Sequence, residues 1–115
     1  MTTNEIVKNI CSVIEEKKGQ EIKVIDISKI SVIADYFILA SGTNQRQTQA
    51  IADEIEMKLG KAGVEPKQKE GYQSGTWILL DYQDVVVHIF NSEDRRFYNL
   101  ERIWTDGTVI DPQEL

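Results

Sequence analysis

TWILLDYQDVVVHIF, residues 76–90, is the stretch on which the fold turns. Trp77 to Tyr82 and Asp84 to Phe90 are two strongly β-prone runs separated only by Gln83, which predicts a tight hairpin. Both strands are apolar at both parities: Trp77 and Leu79 alternate with Ile78 and Leu80, and Val86 stands between Val85 and Val87. Successive side chains on a strand point to opposite faces, so both faces of this sheet want cover. Helices on both sides would supply it from within the chain. Helices stacked mainly on one side would leave an apolar patch for a partner.

Outward from the hairpin, the spacing predicts two substantial helices and one short one. Ile6, Val7, Ile10, Val13 and Ile14 recur at helical intervals over residues 4–17, with Asn4 as a cap and Gly19 as a stop. Ile22, Val24 and Ile27 suggest a first strand, and the continuous run Tyr36 to Ala40 a buried second one. Ser41-Gly42-Thr43-Asn44 then opens a long central helix with Ile51, Ala52, Ile55, Leu59 and Ala62 on one stripe, capped by Thr43 or Asn44 and closed at Gly63. Pro66 to Gly71 reads as a short edge strand. After the hairpin, Phe97, Leu100, Ile103 and Trp104 fall on a final helical stripe, and Asp111-Pro112 opens a loose tail. The expected architecture is α/β (α+β): a mixed sheet of about five strands flanked by helices. A single domain over 1–108 with a C-terminal tail at 109–115 is the expected organisation.

Charge narrows the class of partner. Nineteen acidic against thirteen basic side chains give a net charge of −6, which opposes attraction to phosphate backbones and suits a basic protein partner. Direct binding to nucleic acid is disfavoured. No segment reaches membrane-spanning length and the N-terminus lacks a signal-peptide pattern, so no membrane association and a cytoplasmic location are expected. The single cysteine, Cys11, lies in an apolar stretch and suits a small buried hydrophobe.

Constellations for chemistry are sparse. One histidine, His88, and one cysteine offer no finger-type metal site and no nucleophile–base motif, so neither metal, cofactor nor catalytic residue is expected. Asp81 and Asp84 flank a turn, where carboxylates commonly bond the local backbone. Asp53, Glu54 and Glu56 lie on the solvent side of the central helix. Ser41-Gly42-Thr43 before a helix start resembles a phosphate cradle but lacks the lysine and glycines of a P-loop. Arg46 there, and Arg95-Arg96 further on, could meet an anion or pair with nearby carboxylates, and for Arg46 pairing is the expectation. If the hairpin's uncovered parity is that of Trp77, it presents Trp77, Leu79 and Asp81 on one strand and Asp84, Val86, His88 and Phe90 on the next. An aromatic with aliphatic neighbours and a charged border has interface composition.

Four blocks together resemble the ribosomal silencing factor (Iojap-like) family: DYFILASGTNQRQTQAIADEIE at 35–56, Lys69-Glu70-Gly71, WILLDYQDVVVHIF at 77–90 and RRFYNLERIW at 95–104. The resemblance spans about residues 5–104 in order and spacing. It implies a nucleotidyltransferase-like fold without the paired acidic residues that hold metal in active members of that fold, hence no enzyme. It further implies a factor that binds the large ribosomal subunit through ribosomal protein uL14 and sterically blocks joining of the small subunit, repressing translation when nutrients run short. The family's binding surface maps onto Trp77, Leu79, Asp81, Asp84, Val86 and His88, with Arg96 and Tyr98 near the last helix. Homodimer formation is implied as well. A nucleotide- or phosphate-binding enzyme at Ser41 to Arg46 is the alternative reading. Two residues depart from the family pattern: Gln83 stands where glycine is usual in the hairpin turn, and Asn44 replaces serine at the helix start.

Overall fold

The computed structural model describes residues 1–92 and 108–111. Helix α1 spans Thr3–Glu16, strand β1 Gln20–Asp26, β2 Tyr36–Gly42, helix α2 Gln45–Lys61, β3 Gln68–Glu70, β4 Trp77–Asp81, β5 Val85–Asn91 and β6 Thr108–Ile110. They form one mixed sheet of six strands in the order β3-β4-β5-β2-β1-β6. Only β2 and β5 run parallel; the other neighbours are antiparallel.

The sixth strand corrects the expected count of about five. Thr108, Val109 and Ile110 pair with Asp26, Ile25 and Val24, so the chain at the start of the expected tail adds a strand to the sheet. A β-branched triplet fits the otherwise unpaired edge of β1. The expected final helix at Phe97 to Trp104 lies outside the described residues.

Local chemistry sets the helix ends. Thr2, two residues before the expected Asn4, caps α1: its hydroxyl oxygen accepts from the Glu5 amide. At the other end Lys18 takes the left-handed conformation, φ 61°, and the Gly19 amide closes on the Ile14 carbonyl at 2.8 Å. Asn44 caps α2, its side chain accepting from the Gln47 amide at 2.9 Å. The apolar stripe Ile51, Ala52, Ile55 and Leu59 is buried, whereas Ala62 is the exposed C-cap.

Both helices lie on one face of the sheet. Val7, Ile10, Val13 and Ile14 of α1 and the α2 stripe share one cluster with Val24, Ile38, Ala40, Ile78, Leu80, Val85, Val87 and Ile89. The opposite parity forms a second, smaller cluster: Ile25, Ile27, Ala34, Leu39 and Phe90, with Phe37, Trp77 and Val86 packed against it. Among the described residues no helix covers that second face. The first cluster is the larger of the two, and its burial of apolar surface is the main stabilising contribution to the fold.

Candidate functional site

Register builds the face opposite α1 and α2 row by row. Leu79 lies opposite His88, His88 beside Leu39, and Leu39 beside Lys23. The next row runs Asp81, Val86, Phe37, Ile25 and Val109. Trp77 lies opposite Phe90 at the far end of the hairpin. Five of the expected site residues, Trp77, Leu79, Asp81, Val86 and His88, are therefore brought together on one face. Arg96 and Tyr98 lie outside the described residues.

Asp84 is not gathered with them. It sits in the turn, not on a strand, and its carboxylate lies 3.5 Å from the Thr3 hydroxyl at the start of α1, on the helix side. Its backbone carbonyl accepts from the amides of Asp35 and Tyr36 at 2.8 and 3.0 Å. The sequence alternation that placed Asp84 with Val86 ends where the ladder ends. Its structural work is to lock the turn to the start of β2.

The turn itself is three residues tight: the Asp84 amide donates to the Tyr82 carbonyl at 3.1 Å, with Gln83 between them at φ 76°. One oxygen of Asp81 accepts from the Gln83 amide at 2.8 Å. Such a bond compensates part of the cost of a left-handed non-glycine residue. Asp81 thus holds the turn and still borders the face.

At the other end, α2 fixes the approach to Trp77. Gln45 and Gln49 donate their side-chain amides to the carbonyls of Gln73 and Tyr72 at 2.6 and 2.8 Å. The Thr48 hydroxyl lies 2.8 Å from the Gln45 carbonyl and 2.9 Å from that of Gly75. Gly71, at φ 76°, brings the backbone so close that a Cβ there would sit 1.9 Å from the Trp77 carbonyl oxygen.

Aromatic contacts organise the centre. The indole Nε1–H of Trp77 donates to Nδ1 of His88 at 3.1 Å. Phe37 meets the imidazole edge-on with ring centres 4.7 Å apart, and Trp77 stacks on Phe90 at 5.3 Å. His88 is 4% exposed, and burial lowers its pKa from 6.5 to about 4, so the ring is neutral at pH 7. Two shallow hollows flank Leu79: one of about 230 Å³ bordered by Ile33, Phe37, Val86, His88, Glu70 and Asp81, the other of about 250 Å³ beside Gly71 and Trp77. The loop after β1 adds exposed Ile33 to the wall of the first.

The Ser41-Gly42-Thr43 junction is built differently from an anion cradle. The Thr43 amide and hydroxyl both donate to Oε1 of Gln47, at 2.6 and 2.9 Å, so these two donors are used within the chain rather than offered to a phosphate. Gly42 serves packing: a Cβ there would lie 2.9 Å from Cγ2 of Thr48. Arg46 borders an open hollow of about 610 Å³ with Lys18 and Asn44 and forms no ion pair with a described residue, in place of the expected carboxylate pairing. Of the three carboxylates on α2, Asp53 accepts from the Tyr72 hydroxyl and Glu56 from Lys69, both at 2.9 Å. Among the described residues no three His, Cys, Asp or Glu side chains are grouped to hold a metal ion, and no helix is long and apolar enough to cross a membrane.

Comparison with known proteins assigns this arrangement to a family. The model of the family described as "Ribosomal silencing factor during starvation" matches residues 1–115. The chain belongs to this family. It is 37% identical over 111 residues to the ribosomal silencing factor RsfS of Bacillus subtilis, covering 96% of this chain and 94% of that one. A crystal structure of a Chromobacterium violaceum protein superposes with a TM-score of 0.88 at 37% identity, covering 91% of this chain and 88% of that one. A more distant relative is the mouse protein named "Mitochondrial assembly of ribosomal large subunit protein 1", 29% identical over 99 residues, which cover 84% of this chain and 43% of that one. The ribosomal silencing factor fold expected from the four sequence blocks is the fold observed, a mixed α/β domain shared with the solved structure.

Proposed function

We propose that this ribosomal silencing factor docks through the sheet face opposite α1 and α2 on protein uL14 of the large ribosomal subunit and thereby blocks joining of the small subunit, repressing translation without catalysing a reaction. The observation that supports it is the one-sided packing of α1 and α2, which leaves Trp77, Leu79 and Val86 on a face bordered by Glu70 and Asp81. An aromatic-centred patch with acidic edges on a chain of net charge −6 complements a basic ribosomal protein. Family membership supports a ribosomal role, and the name of the mouse relative refers to the large subunit.

The test is co-sedimentation with purified bacterial large subunits, read beside inhibition of subunit joining. Leu79→Asp places a charge at the middle of the patch, and Trp77→Ala truncates its largest side chain. Each should weaken binding by about 2 kcal/mol or more if the patch is the energetic centre of the interface. Co-migration and inhibition indistinguishable from the unaltered chain would remove the proposed surface.

A further inference from the structure

We infer that the groove between Ile33 and Leu79 receives an apolar side chain of the docked partner together with an uncharged carbonyl oxygen, which accepts the Nε2–H of His88. The inference rests on the docking reading above and adds the chemistry of the contact. Its ground is a donor without an acceptor: Nε2 of His88 is buried and has no hydrogen-bond partner. The tautomer follows from geometry. The indole nitrogen of Trp77 can only donate, so Nδ1 of His88 is the acceptor, and in the neutral ring the proton resides on Nε2. Burial keeps the ring neutral at pH 7.

A buried polar group left unpaired carries a free-energy cost, and a partner supplying the acceptor recovers it only in the complex. His88 lines the groove beside Ile33, Phe37, Leu79 and Val86, walls that take an apolar side chain. Glu70 and Asp81 border the same groove. They repel a carboxylate or phosphate, which leaves a neutral carbonyl as the acceptor, and they attract a lysine or arginine at the rim.

The experiment measures binding of the full chain to purified bacterial large subunits for the unaltered protein, His88→Phe and His88→Gln. Phenylalanine keeps the ring and removes the donor; glutamine restores an N–H near the position of Nε2. His88→Phe should bind about tenfold more weakly, the equivalent of about 1.4 kcal/mol, and His88→Gln within about threefold of the unaltered chain. Equal binding by His88→Phe overturns the inference and leaves the docking reading standing. Failure of the unaltered chain to bind large subunits overturns both. Should His88→Phe not melt cooperatively, nitrogen-15 NMR of the unaltered imidazole with isolated uL14 decides the matter. Nε2 should carry the proton in the free chain, and its exchange with water should slow in the complex. A proton on Nδ1, or unchanged exchange, overturns the inference.

Discussion

Trp77 and His88 face each other across the β4–β5 ladder, the indole N–H donating to Nδ1 of the imidazole at 3.1 Å. This bond fixes the orientation of the only histidine, and with it how the fold responds to acid. The pKa of His88 in the folded chain, about 4, lies below the ordinary 6.5 because burial disfavours the charged ring. An unfolded chain therefore binds a proton that the folded chain refuses. Stability from this group is fully present above about pH 6.5 and is lost as pH falls towards about 4, amounting to on the order of 3 kcal/mol. Denaturant melts of the unaltered chain and His88→Gln between pH 4 and 7 should diverge in slope, the variant losing less. Glu70 and Asp81 border the same hollow and are present in both proteins, so the comparison isolates His88. Parallel curves would show that His88 does not titrate as its burial demands.

Gln83 occupies the left-handed region at φ 76° in the hairpin turn, a conformation that costs a side chain more than it costs glycine. Gln83→Gly should raise stability by about 0.5–1 kcal/mol, the released strain exceeding the added entropy of the unfolded chain. Chemical denaturation measures it. A lower midpoint would mean that the bond from the Gln83 amide to Asp81 already offsets the strain.

Gly71 admits no side chain, because a Cβ would sit 1.9 Å from the Trp77 carbonyl oxygen and φ is 76°. Gly71→Ala should cost about 2–4 kcal/mol and displace the start of β4. Thermal unfolding gives the cost, and a shift in tryptophan fluorescence reports the displacement. A melting curve that superposes on the unaltered one would contradict the close approach.

Thr48→Val removes a buried hydroxyl lying 2.9 Å from the Gly75 carbonyl and 2.8 Å from that of Gln45. The expected loss is about 1–2 kcal/mol, since the buried end of the 71–76 loop loses a partner on α2. Faster amide exchange in this loop, with the rest of the sheet unaffected, is the accompanying signature.

Cys11 should resist alkylation in the native state. Burial first, and the nearby Glu15 carboxylate second, push its thiol up to about 12, so thiolate is scarce at neutral pH. Iodoacetamide labelling should proceed only at the rate of unfolding. Rapid native-state labelling would show that α1 opens locally.

The sequence by itself determined the α/β class, both described helices, the hairpin and its tight turn at Gln83, because these follow from periodicity and backbone preference over a few neighbouring residues. It also placed Trp77, Leu79, Asp81, Val86 and His88 on one parity, since alternation along a strand is a local property. Only the tertiary structure decided which parity the helices cover. The hairpin is apolar on both sides, so local pattern carries no sign; the choice depends on α1 and α2 packing together over Ile78, Leu80, Val87 and Ile89. The same distinction explains Asp84. Its alternation placed it on the Trp77 face, but the ladder stops at Val85, and the turn directs the carboxylate towards Thr3, far away in sequence. Strand β6 escaped the sequence reading because a three-residue strand becomes stable only when a distant edge, here β1, supplies its hydrogen bonds. The unpaired Nε2 of His88 was equally invisible, for a donor is orphaned only once everything around it has been placed.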